Sequence, residues 1–167
     1  DVLNSKWPEL NQRSVLAGQI TQESCITLKH PRCWNPRVEF RTSREWGIGM
    51  PQLTITSRFD NFAAARKLDP ELRNWQLSER FDARKQFIAF VRMDQNLYYK
   101  LSPLVRNENT RLLFMLSSYN GGLGGLLQDR KLCASVPSCD PNSWFDHVEL
   151  YSYKSRTKLK GYGHSFY

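Results

Sequence analysis

Apolar positions recur at helical spacing along most of this chain and lose that spacing over one long stretch. Val15, Leu16, Ile20 and Glu23 fall on one stripe, so the periodicity predicts an amphipathic helix over residues 9 to 26. A carboxylate therefore sits on an apolar face. From residue 29 to 56 the pattern gives way to Pro31, Pro36, Pro51, two glycines and scattered Arg, which predicts a long irregular loop with at most a short hairpin. Loops of that length usually carry function. Helical spacing then returns over residues 59 to 67, 78 to 100 and 108 to 118. Phe81, Phe87, Ile88, Val91 and Leu97 are core candidates in the second of these, and Leu112, Leu113 and Met115 in the third.

The run Asn120-Gly121-Gly122-Leu123-Gly124-Gly125 predicts a turn or a tight packing point, because glycine reaches backbone angles and close approaches that other residues forbid. Asp140-Pro141 has the form of a helix start, Asp as N-cap and Pro at the first helical position, leading into Trp144, Val148 and Leu150. The tail from 154 to 160 is basic and expected to be exposed. With no repeat, low-complexity tract or evident linker, the expectation is a single mainly α domain over residues 1 to 167.

Composition narrows the function classes. A chain of 167 residues with 40% apolar content is ordinary folded material, which excludes disorder. The longest apolar run, Leu112 to Leu116, is far below the roughly 18 residues of a membrane span. The net charge of +8 is spread along the chain and forms no single basic tail. Such a surface favours anionic polymers, whether nucleic acid, anionic lipid or bacterial wall polymer.

Four cysteines form two close pairs, Cys25 with Cys33 and Cys133 with Cys139. Neither has the tight spacing of a zinc site. Two short disulfides are preferred over free thiols or a metal site, and disulfides favour a periplasmic or extracellular location. His30, His147 and His164 show no ligand spacing, so neither metal nor cofactor is expected. The opening at Asp1, without a Met, fits a removed targeting segment or a trimmed chain alike.

Three motifs carry candidate chemistry. In Gln22-Glu23-Ser24, a Glu in line with Leu16 and Ile20 is desolvated, which raises a carboxyl pKa and suits a general acid. Ser24 either donates to a substrate or helps end the helix. In Trp46-Gly47-Ile48-Gly49-Met50-Pro51-Gln52-Leu53-Thr54, the glycines allow close backbone approach and Gln52 supplies donor and acceptor; the plain alternative is a hairpin turn. In Ser118-Tyr119-Asn120-Gly121-Gly122, Tyr119 and Asn120 end an apolar helix, as a core aromatic and a turn residue if they have no further role.

Taken in order, Glu-Ser on a helix, a Gly-x-Gly-x-x-Gln-x-Thr loop and an apolar helix ending Tyr-Asn-Gly-Gly resemble the soluble lytic transglycosylases and goose-type lysozymes. Within that group the likeness is to peptidoglycan-degrading endolysins of tailed phages, and it covers residues 12 to 55 and 108 to 149. The resemblance implies a lysozyme-like, mainly α single domain with a substrate cleft. Glu23 would be the catalytic acid and Ser24 a cleft residue. Gly49 and Gln52 would bind substrate from the loop, Tyr119 would hold Glu23, and Asn120 would contact the sugar. Pro51 departs from the usual Gly-Leu-Met-Gln loop and removes a backbone donor.

The implied reaction cleaves the β-1,4 bond between N-acetylmuramic acid and N-acetylglucosamine. Glu23 gives its proton to the glycosidic oxygen, then draws one from the muramyl 6-hydroxyl, leaving a 1,6-anhydro product in phage-type host lysis. An inverting muramidase is the alternative, with Glu45 as second carboxylate unless it pairs with Arg44, Arg41 or another nearby Arg. Trp34, Trp46 and Trp144 are sugar-stacking candidates, and Trp46 is favoured by its loop. The expected partners are glycan strands and anionic envelope polymers, engaged by a monomer. A Cys-His amidase, a nucleic-acid binder and an inactive wall-binding protein are the rival classes; paired cysteines argue against the first, the lack of a concentrated basic helix face against the second, and loss of activity in Glu23→Gln would dismiss the third.

Overall fold

The computed structural model describes residues 1–154, divided into two compact units, Asp1–Gln95 and one beginning at Asn96. The division falls inside a helix, where no linker composition marks it. His164 and most of the basic tail lie outside the described residues.

The first unit opens with α1 (Val2–Lys6), capped by Asp1, whose carboxylate accepts from Leu3 N–H at 3.1 Å. Trp7 and Leu10 then turn into the interior, so α2 spans Arg13–Ser24 and starts later than periodicity predicts. It ends at Cys25, where the backbone turns extended into the Cys25–Cys33 disulfide. Its buried positions are Leu16, Gln19, Ile20 and Ser24, so half of the inner stripe is polar.

The irregular stretch holds more order than a loop with a hairpin. β1 (Glu39–Arg41), β2 (Glu45–Ile48) and β3 (Leu53–Thr56) form an antiparallel sheet in that order, with Trp46 opposite Arg41 on one side and Ile55 on the other. Ile48 and Leu53 anchor it, both fully buried. Tertiary burial overrides the weak local signal of short, proline-flanked strands.

α3 (Asn61–Ala65) is shorter than the predicted 59 to 67, with Asp60 accepting from Ala63 N–H at 2.7 Å as its cap. Two 3-10 turns, Pro70–Leu72 and Leu77–Glu79, precede α4 (Ala83–Leu101), which therefore begins five residues later than 78. The core joins Ile48, Leu53, Phe62, Leu72, Trp75 and Ile88, with the Phe62 and Trp75 ring centroids 4.2 Å apart. Phe81 is not in it: the ring is half-buried, and the Arg80 guanidinium lies 4.2 Å from its centroid. Cation–π contact replaces burial there.

In the second unit, α5 (Glu108–Gly121) is capped by Asn107 and packs against α6 (Leu123–Ala134). It runs three residues beyond 118, so Tyr119 and Asn120 are helical; the break is confined to Gly122, at φ +78°. Cys133 and Cys139 form the second disulfide at the end of α6. Asp140-Pro141 does not start a helix. The Asp140 carboxylate accepts from Asn142 N–H at 2.8 Å and its own N–H donates to His147 Nδ1 at 3.0 Å, closing a local loop. Only a 3-10 turn, Val148–Leu150, follows. This competition between Asx-type bonds and helix is a known habit of Asp. No described helix is long and apolar enough to cross a membrane.

Candidate functional site

Glu23 lies in the last turn of α2, one turn beyond Gln19 and beside the buried Leu16 and Ile20. It keeps part of its surface open to solvent, yet burial pushes its carboxyl up to about 7. Such a group holds its proton near neutral pH and releases it readily, the property a general acid that later acts as base requires.

Beneath it, on α4, is a second carboxyl that periodicity alone did not single out. Asp94 has no solvent exposure, and its Oδ1 accepts from Gln19 Nε2 at 3.3 Å. Burial drives its pKa well above the usual range; the Gln19 hydrogen bond opposes this and the Glu23 charge adds to it. The signal was present: Asp94 follows Phe90 by four residues on an apolar stripe, the same pattern that marks Glu23.

Ser24 is buried and committed to the fold. Its hydroxyl donates to Ile20 C=O at 2.8 Å and accepts from Trp34 N–H at 3.0 Å. Trp34 is thereby held against α2, with Nε1 donating to Thr21 Oγ1 at 3.1 Å and 43% of its surface exposed. That leaves a partly exposed aromatic ring tied to Thr21, two residues before Glu23.

The glycine loop is the β2–β3 turn. Gly49 takes φ +73° and Gln52 φ +48°, and Gln52 folds back so that Nε2 donates to Gly49 C=O at 2.7 Å. Its Oε1 rests where a side chain on Gly47 would be. Gln52 thus closes its own turn, and the buried Gln86 holds that turn from α4: Oε1 accepts from Met50 N–H at 3.0 Å, while Nε2 donates to Pro36 C=O and Arg80 C=O at 2.7 Å each. Trp46 is half-buried, with the Arg41 and Arg80 guanidinium carbons 5.0 and 5.6 Å from its ring and Nε1 donating to Glu39. Glu45 begins β2 opposite Thr56, half-buried, and makes no ion pair among the described residues.

In the second unit Tyr119 is half-buried and Asn120 exposed at the end of α5. Asn120, Leu113, Asp129, Trp144 and Tyr153 line a cavity of about 220 Å³. Burial raises the Asp129 carboxyl, which accepts from Tyr153 N–H at 2.8 Å. Trp144 meets Phe114 edge to face, with centroids 5.7 Å apart. The first unit therefore brings Glu23, Ser24 and Trp34 together, while Tyr119 and Asn120 belong to the second. No protein-family model, curated protein or solved structure matches this chain.

Proposed function

We propose that this chain is a lysozyme-like enzyme that degrades peptidoglycan, cleaving the β-1,4 bond between N-acetylmuramic acid and N-acetylglucosamine as a lytic transglycosylase. The observation that carries the proposal is the Glu23 carboxyl, raised to about 7 by burial at the head of the Glu-Ser motif. The ordered likeness of the Glu-Ser, glycine-loop and Tyr-Asn-Gly-Gly motifs supports it.

Glu23 protonates the glycosidic oxygen while the substrate's own acetamide stabilises the sugar cation. The resulting carboxylate takes the proton of the muramyl 6-hydroxyl, whose oxygen closes on the anomeric carbon to give the 1,6-anhydro product. One carboxylate suffices, and water is not consumed. Trp34 supplies a stacking surface for sugar. The net charge of +8 draws the protein to anionic envelope polymers, and two disulfides suit a periplasmic or extracellular workplace.

The second reading is an inverting muramidase with Glu45 as base, favoured by the missing ion pair between Glu45 and its neighbouring arginines among the described residues. Mass spectrometry of muropeptides released by the wild type, Glu23→Gln and Glu45→Gln separates the two. Anhydromuramic ends, with Glu45→Gln active and Glu23→Gln inert, support the transglycosylase. Reducing muramic ends with Glu45→Gln inert support the muramidase, and no release by the wild type refutes both.

A further inference from the structure

We infer that Asp94 is a positioning residue for Glu23, held as a neutral carboxylic acid in a two-point pair with the Gln19 amide. The inference rests on the reading of Glu23 as the group that gives and takes the proton.

The geometry leaves two orphan atoms. Gln19 Nε2 donates to Asp94 Oδ1 at 3.3 Å, while Gln19 Oε1 and Asp94 Oδ2 are both buried without a hydrogen-bond partner. They are the free ends of two groups already joined at their other ends. As a carboxylate, Asp94 would be an ion with zero exposure, one long hydrogen bond from a neutral amide and no ion pair among the described residues. An isolated buried charge of that kind is strongly disfavoured. A proton on Oδ2 turns the misfit into a match, because the acid then offers one donor and one acceptor to an amide that offers the same.

The titratable group whose charge acts on Asp94 is Glu23, from α2; on α4 the residues three and four before Asp94, Phe90 and Val91, are apolar, and the residue four after it is Tyr98, whose phenol burial pushes further up. Gln19 and Glu23 are four residues apart, so they stand on the same face of α2 one turn from each other. Fixing the Gln19 amide fixes the turn from which Glu23 projects. Neutrality matters as much as position: an ionised Asp94 would destabilise the Glu23 carboxylate and hinder its step as acid, whereas an uncharged floor lets Glu23 pass between its two forms.

Asp94→Asn tests this, since its amide reproduces both ends of the pair without a proton to lose. In infrared spectra of the full chain at about pH 9, well above ordinary carboxyl values, the wild type should show the carbonyl stretch of a protonated carboxyl that Asp94→Asn lacks. Its absence from the wild type would overturn the inference. On peptidoglycan, Asp94→Asn should keep kcat within about 3-fold and leave the alkaline limb of the pH profile in place, while Asp94→Ala and Gln19→Leu lose about 10-fold or more in kcat. Equal losses in Asp94→Asn and Asp94→Ala, or a Glu23 titration moved to lower pH in Asp94→Asn, would defeat it. Should Asp94→Asn fail to fold, carboxyl-carbon NMR titration of the unmutated protein reads both groups. A wild type that releases no muropeptide refutes the proposed activity, and the infrared and NMR results still decide the state of Asp94.

Discussion

Gln86 and Gly49 fit one another so closely that a Cβ on Gly49 would overlap the Gln86 carboxamide. The contact joins α4 to the β2–β3 turn, and through Nε2 it also holds the carbonyls of Pro36 and Arg80. Gly49→Ala adds the strain of φ +73° to that overlap, so a loss of about 3 kcal/mol or more is expected in urea unfolding. Gln86→Ala leaves the Met50 N–H and two carbonyls without their partner and should cost about 2 to 4 kcal/mol. Wild-type stability in both variants would show that the turn is held by other contacts.

Glu23 should destabilise the fold at neutral pH. Its folded value of about 7 lies above the ordinary 4.5, so between those values the folded state binds more protons than the unfolded one. Stability from this group is complete below about pH 4.5 and falls as pH rises to about 7. Glu23→Gln should then gain up to about 3 kcal/mol at pH 8 and little at pH 4, read from denaturant midpoints at the two pH values. A gain independent of pH would remove the carboxyl as its cause.

Asp69 runs the other way. Burial pushes its carboxyl up, but hydrogen bonds from Lys6 at 2.9 Å and Arg92 at 2.7 Å outweigh this and lower it. Its contribution is present above the ordinary Asp value and disappears as pH falls through the lowered folded value. Asp69→Asn should cost about 3 to 5 kcal/mol at pH 7, because two cations beside a fully buried side chain lose their counter-charge. The loss should shrink in acid; an equal loss at pH 2 and pH 7 would contradict the electrostatic account.

The Cys25–Cys33 disulfide closes a loop of 8 residues' separation directly after the Glu23 turn. Loop-closure entropy for so short a ring is worth about 2.5 kcal/mol. A Cys25→Ser, Cys33→Ser double variant should therefore melt lower while keeping its helical circular dichroism. It should also lose peptidoglycan cleavage in greater proportion than Cys133→Ser, Cys139→Ser, since Trp34 and Ser24 are positioned by the first loop. Equal activity losses in the two pairs would detach the first disulfide from the site.

Long-range packing explains why parts of this molecule were legible in the chain and others were not. Periodicity located α2, α4 and α5, because apolar spacing is a local property, but it did not show that half of the inner face of α2 is polar. Close spacing of the cysteines was enough for the two disulfides, since short loops bring their ends together at little cost. The raised carboxyl of Glu23 was visible as a carboxylate on an apolar face. Other features arise only when distant segments meet. Three short strands gain their order from Ile48 and Leu53 entering the core, and the Asp140-Pro141 loop from His147 seven residues on. Gln86 closes a turn 36 residues away through hydrogen bonds that no sequence period encodes. Asp94 meets Gln19 across 75 residues, and only the fold buries this ordinary Asp and Gln side by side.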